Sequence, residues 1–331
     1  MSTAADRSKP ARQELPDALV PIAVVTLRPL TRLGIDLYLR QDRESPPILY
    51  RANDFEFTAD DIDRLLAAGV RSLYIESSAL PRYQKFLLEN LDSLLRDERA
   101  EPAARFQILQ DSAGALLSDA FRTIKIDAAL KVVGQFGGQI VELLTNNDLV
   151  PAQLFEVMRH DYYTYMHVVN VATYAVMLAR DMGVSQPEEL ERIAVGALLH
   201  DIGKRHVAST LVRKGGALSG PERETMRRHP QTGFIELRRE SDLDWGQLMM
   251  VYQHHEQVDG GGYPVGVPQD EIHWQARLCS VVDVFDAMSC CRPYRPQMPV
   301  PSVLDHLHAN AGVMFDSEMT QCWISAFRRR P

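Results

Sequence analysis

Hydrophobic positions change their spacing about a third of the way along the chain. Between Leu19 and about Arg96, short apolar runs alternate with turns: Pro21-Ile22-Ala23-Val24-Val25, Ile35-Asp36-Leu37-Tyr38-Leu39 and Ile48-Leu49-Tyr50. Runs of this length bounded by turn residues predict strands. Thr58-Ala59-Asp60-Asp61 predicts a capped helix start, Ser72-Leu73-Tyr74-Ile75 a further strand, and a second helix follows from about Pro81. Together these elements predict a small α/β domain. From Pro102 to Asn147 the spacing turns helical, with Phe106, Leu109, Leu116, Leu117, Phe121 and Ile124 on one apolar face. That face is expected to pack against the carboxyl-terminal half, with a homodimer seam as the alternative. Beyond Pro151 the pattern is almost wholly helical, over Val168–Met182, Glu188–His200, Pro221–His229, Leu243–His255 and Gln275–Met288.

The expected fold is therefore α+β overall, a small α/β domain followed by an all-α bundle. The organisation reads as a disordered tail at 1–17, an accessory or regulatory domain at 18–100, a helical connector at 101–150 and a catalytic domain at 151–331. A chain of 331 residues is long enough for two cores.

Composition narrows the class. Apolar residues at 45% and charged residues at 24% exclude a largely disordered chain, and no window approaches the ~18 apolar positions of a membrane span. The first residues are polar and lack a signal-peptide core, which predicts a cytoplasmic protein. Cys279, Cys290, Cys291 and Cys322 show no CxxC spacing and read as reduced thiols. A net charge of -8 argues against broad nucleic-acid binding, since phosphate backbones call for a basic face. An anionic substrate would have to be met locally.

Candidate chemistry lies in the helical half. His200-Asp201-Ile202-Gly203-Lys204 ends a helix whose buried face carries Leu190, Ile193, Ala194, Ala197 and Leu198, and Gly203 is placed to stop it. Ser219-Gly220-Pro221-Glu222 opens a helix that His229 is expected to close, because Pro230 follows. His254 and His255, if helical, would point about 100° apart. They are followed by Glu256, Asp259 and the loop Gly260-Gly261-Gly262-Tyr263-Pro264. Asp283 sits in an otherwise apolar helical stretch, where a carboxylate needs a metal or a hydrogen-bonded partner.

These motifs, in this order, resemble the HD-GYP family of metal-dependent phosphodiesterases within the HD phosphohydrolase superfamily. The resemblance covers about Asp161 to Phe315. It implies metal ligands at His167, His200, Asp201, His229, His254, His255 and Asp283. A mixed shell of imidazole and carboxylate suits two divalent ions, Fe or Mn by preference, with Asp201 able to bridge them. Some members carry a glutamate four residues before the first histidine and hold a third ion; Tyr163 at that place implies a dinuclear site. Asp286 is open between support of the loop and contact with an ion. The other histidines, His160, His206, His273, His306 and His308, fall outside the pattern.

The implied activity is hydrolysis of cyclic di-GMP to pGpG, and onward to GMP in some members, by a hydroxide held between two ions, in bacterial second-messenger signalling. Asp201 and Lys204 take the catalytic roles. Lys204 would neutralise a phosphate oxygen, and Gly262, Tyr263, Arg292 and Arg295 would contact the nucleotide. Two alternatives remain at this point: a cyclic di-GMP sensor with little or no turnover, and an HD phosphohydrolase for another nucleotide. The stretch Val168-Val169-Asn170 after His167 departs from the serine and arginine frequent there, a departure that bears on substrate preference.

Overall fold

A computed structural model describes residues 19–27, 33–40, 45–97, 102–122, 125–147, 149–157, 164–212, 214–290 and 297–329. It divides into two compact units, Met1–Leu87 and Leu88–Pro331.

The first unit holds β1 (Leu19–Ala23), β2 (Leu37–Leu39), β3 (Ile48–Arg51), α1 (Ala59–Ala67), β4 (Ser72–Glu76) and the start of α2 (Leu80–Leu95). All four strands anticipated from the apolar runs form. They pair antiparallel in the order β1-β4-β2-β3, with Leu19 opposite Glu76 and Leu37 opposite Arg51. Leu37, Leu73, Ile75, Phe57 and Leu87 close its core. The helix start at Thr58 is a full capping box: the Asp61 amide donates to Thr58 Oγ1, and the Thr58 amide donates to Asp61 Oδ2.

The second unit continues with α3 (Pro102–Arg122), α4 (Ile126–Thr145), α5 (Pro151–Val157), α6 (Thr164–Asp181), α7 (Pro187–Leu199), a 3-10 turn at Ile202–His206, and α8 (Ser209–Val212). After these come α9 (Gly220–Arg227), α10 (His229–Leu237), α11 (Trp245–Gln253), α12 (Trp274–Ser289), α13 (Val300–Ala309) and α14 (Ser317–Arg328). Helix α6 is buried all round, from Met166 to Ala179, because α3, α4, α7, α12 and α14 all pack on it. The apolar face of α3 predicted from Phe106, Leu109, Leu116, Leu117 and Phe121 is buried within this unit, against α4, α5 and α6, while Ile124, placed on the same face, lies outside the described residues. No helix among the described residues is long and apolar enough to cross a membrane.

Glycine sets the closest approaches. A Cβ at Gly196 would lie 2.4 Å from Met250 Sδ and 3.2 Å from Gln247 Cα, so α7 and α11 cross closely there and a larger residue would force Met250 to move. Gly203 does not terminate α7, which ends at Leu199; it lies within the 3-10 turn, where a Cβ would meet the His229 carbonyl oxygen at 1.9 Å and the Gly233 nitrogen at 2.8 Å. The turn that carries Asp201 and the helix that carries His229 are thus pressed backbone to backbone. Gly203→Ala is expected to cost about 1–3 kcal/mol through overpacking. It should also displace His229, so the melting temperature and the metal content of the variant should fall together.

Candidate metal centre

Each imidazole is mounted at a helix start or end. His167 lies in the first turn of α6; His200 and Asp201 follow α7; His229 opens α10; His254 and His255 follow α11; Asp283 lies inside α12. Two local expectations are corrected. His229 does not close α9, which stops at Arg227: Arg228 links the two helices, and Pro230 occupies the first turn of α10, where its missing N–H costs nothing. His254 is the C-cap of α11, so the helical 100° divergence does not apply, and the rings of His254 and His255 stand only 4.2 Å apart at 44°.

The buried faces converge on the Asp201 carboxylate. Its Oδ2 lies 3.5 Å from His200 Nε2 and 4.0 Å from His167 Nε2, and Asp283 Oδ1 lies 3.0 Å from His167 Nε2 and 3.9 Å from His200 Nε2. Its Oδ1 faces the other way, 3.2 Å from His229 Nε2 and 3.8 Å from His254 Nε2. Two groups of potential ligands result, His167, His200 and Asp283 on one side and His229, His254 and His255 on the other, with Asp201 between them.

Four rings are held in one tautomer. His200 Nδ1 donates to the Ala197 carbonyl, His229 Nδ1 to Met226, His254 Nδ1 to Met250, and His167 Nδ1 to Asp286 Oδ2 at 2.7 Å. In the neutral rings every Nε2 then carries a lone pair directed inward, the arrangement a metal ligand requires. His229 Nε2 and His254 Nε2 lie 3.2 Å apart, close enough to share one cation, a proton or a metal ion. A proton is disfavoured: burial, with neighbouring His255 and His200, pushes His254 well below the usual range. Among the described residues, buried His200 Nε2 and Asp201 Oδ1 have no hydrogen-bond partner. The residues therefore fit a divalent metal site, which would supply the missing partners.

The charges agree. Burial raises the Asp201 and Asp283 carboxyls, but Lys204 and His200 around Asp201, and His167 bonded to Asp283, outweigh it and hold both well below the usual carboxylate range. Burial lowers His167, yet its bonds to Asp283 and Asp286 raise it to about 10, so an ion taking Nε2 displaces a proton. His255 is driven down to about 3, chiefly by burial, and stays neutral.

Lys204, His255 and Tyr263 are half-buried and form the open side of the cluster. The Lys204 ammonium bonds Asp201 Oδ2. Tyr263 stacks on His255 at 4.7 Å and 26°, and the exposed Arg227 guanidinium lies 4.4 Å from the Tyr263 ring centre. Gly262 serves the loop itself: a Cβ there would meet the Gln257 nitrogen at 2.3 Å and Glu256 Cα at 2.5 Å. Buried Glu256 holds that loop from inside, accepting from the amides of Val265, Gly266 and Val267. Arg227 carries no sequence signal of its own, and Glu256 belongs to the motif run without a role that spacing assigns. Asp286 is fully buried and accepts from His167 Nδ1 at 2.7 Å, the ring nitrogen turned away from the cluster. Arg292, Arg295 and Tyr163 lie outside the described residues.

A model of the HD domain matches residues 147–319, more than half of the chain. The chain belongs to the HD-domain family. Its HD-GYP resemblance is borne out by relatives and by fold. The chain is 33% identical over 263 residues to cyclic di-GMP phosphodiesterase PA4108 of Pseudomonas aeruginosa, covering 71% of this chain and 60% of that protein. It is 35% identical over 156 residues to 3'3'-cGAMP-specific phosphodiesterase 3 of Vibrio cholerae, covering 47% of this chain and 34% of that one. It thus spans well under the full length of either. Among solved structures, Bd1817, an HDG"Y"P protein from Bdellovibrio bacteriovorus, shares the fold with a TM-score of 0.68 at 21% identity, over 94% of this chain and 100% of that one.

Proposed function

We propose that this HD-domain protein is a metal-dependent phosphodiesterase that hydrolyses cyclic di-GMP to pGpG, in second-messenger signalling. The observation that carries the reading is the Asp201 carboxylate, with one oxygen turned to each of two groups of inward-pointing ligands. That arrangement suits a pair of divalent ions, Fe or Mn by donor type: His167, His200 and Asp283 would hold one, His229, His254 and His255 the other, and Asp201 would offer an oxygen to each. Such a pair supplies Lewis-acid polarisation of the phosphodiester and activation of water for in-line attack.

The chain's own residues do the remaining work. Carbonyls and Asp286 fix the imidazoles in advance, so no reorganisation is needed when substrate arrives. Lys204, one helical turn from Asp201 and half-exposed, is placed to meet a non-bridging phosphate oxygen. Tyr263 and Arg227 at the rim offer a ring face and a planar cation to a purine base or the second phosphate. The names of the relatives support a cyclic dinucleotide as substrate. One of them is named for 3'3'-cGAMP, which favours testing that nucleotide as the second reading.

The test is hydrolysis by full-length protein purified without oxygen and loaded with Fe(II) or Mn(II), offered each nucleotide separately. Products are resolved by chromatography, and metal is counted on the same sample. Metal-dependent pGpG with about two ions per chain is the expected result. Faster cleavage of 3'3'-cGAMP would transfer the reading to that substrate, and fully metallated protein that binds cyclic di-GMP without cutting it would make the protein a sensor.

A further inference from the structure

A file of buried polar side chains runs from α3 to the metal centre. Gln110 of α3, fully buried, donates from Nε2 to Asn170 Oδ1 of α6 at 2.5 Å. Asn170, also fully buried, donates from Nδ2 to Asp286 Oδ1 of α12 at 2.9 Å. The other oxygen of Asp286 accepts from His167 Nδ1 at 2.7 Å and from the Cys290 thiol at 3.3 Å. Every bond in the file has the same polarity, with donors directed toward the Asp286 carboxylate.

That polarity depends on Gln110. An asparagine amide can present either its NH2 or its oxygen, and beside a buried carboxylate only the NH2 is favourable. The Gln110 N–H claims the Asn170 oxygen and so turns the NH2 toward Asp286. Asp286, with its donors in place, holds His167 with Nδ1–H outward and Nε2 toward Asp201 and Asp283. Each step is short and buried, where hydrogen bonds polarise one another most strongly.

We propose that Gln110 and Asn170 are positioning residues for the metal centre, acting through Asp286 on the His167 imidazole and so tying the seating of α3 on α6 to the geometry of that ligand. The proposal rests on the reading of the cluster as a metal site and goes beyond it to residues that touch neither ion nor substrate. It also gives the departure at Asn170 a role, in orienting a ligand.

The test is Mn(II) affinity of the full chain, followed by EPR titration, in Gln110→Met, Asn170→Leu and the double variant, with thermal unfolding of each metal-free protein recorded alongside. Both single variants replace the amide by an apolar side chain and remove the hydrogen bonds. Loss of an outer partner of a metal ligand typically costs ~10–100-fold in affinity. Affinity for the ion beside His167 is expected to fall about tenfold in each single variant, with a changed Mn(II) spectrum. The double variant should bind no more weakly than Asn170→Leu alone, because Gln110 acts through Asn170. Wild-type affinity and spectrum in Gln110→Met, whatever its melting temperature, would overturn the proposal, as would fully additive losses in the double variant. Should the wild type bind Mn(II) tightly yet leave cyclic di-GMP intact, the proposed activity falls while the positioning role is still decided by these titrations.

Discussion

Asp201→Asn is expected to abolish cyclic dinucleotide hydrolysis, by at least about 10³-fold, beyond the ~10–100-fold typical of disturbing a partner of a metal ligand. The substitution keeps the shape of the side chain and removes the one anion that both ligand groups share. An amide NH2 in that place donates to an imidazole Nε2, so hydrogen bonds fill the space that a cation would otherwise occupy. Metal-free stability is expected to fall, because the surroundings that hold the Asp201 carboxyl well below its usual range favour its charged form, although half-exposed Lys204 can turn to water. The metal-linked stability should disappear. An ion at 1,000 times its dissociation constant raises the stability of the wild type by about 4 kcal/mol per site, and adding Mn(II) to Asp201→Asn should produce little of that rise. Melting temperature with and without Mn(II), together with metal content by mass spectrometry, checks both halves. A variant that keeps two ions and loses only turnover would show that Asp201 acts on the water or the substrate and not as the shared ligand.

The parts of this centre that were legible in the sequence are those whose partners need not be known. His200-Asp201 and His254-His255 stand out as polar pairs at the ends of apolar helical stretches, and Asp283 as a lone carboxylate in an apolar one; each signals an unmet need without naming what meets it. The α3 face was legible for the same reason, since Phe106, Leu109 and Leu117 declare a buried stripe by spacing alone. What spacing cannot show is which backbone comes close. Gly203 reads as a helix stop, and only the His229 carbonyl 26 residues later explains it. Pro230 likewise forbids a helix interior but favours a helix start, so local rules alone left His229 on the wrong side of the break. Asn170 reads as a departure until Gln110 and Asp286, 60 and 116 residues away in sequence, are brought to either side of it. Strand order in the first unit escapes for the same reason, because β4 pairs with both β1 and β2 across long separations.

Lys204→Ala is expected to lower kcat by about 10²–10³-fold, the usual cost of removing one fixed donor from a developing charge, while KM changes less and metal content stays at the wild-type level. The ammonium bonds the same Asp201 oxygen that faces His167 and His200, which gives the side chain two conceivable duties. If it served only to anchor Asp201, its loss would reach the metals first. That outcome is disfavoured, because Asp201 is buried among His167, His200, His229 and His254, all within 4.0 Å, whereas Lys204 approaches from the half-exposed side. A charge reaching in from the rim is better placed for a phosphate that enters by the same route, growing more negative as the attacking oxygen closes in. Lys204→Arg separates the duties further: it keeps the positive charge but replaces a compact ammonium by a planar fork that must fit between Asp201 and the substrate. Partial recovery of kcat in that variant, with two ions retained in both, assigns Lys204 to the reacting phosphate. Loss of one ion in Lys204→Ala would assign it to holding Asp201 in place.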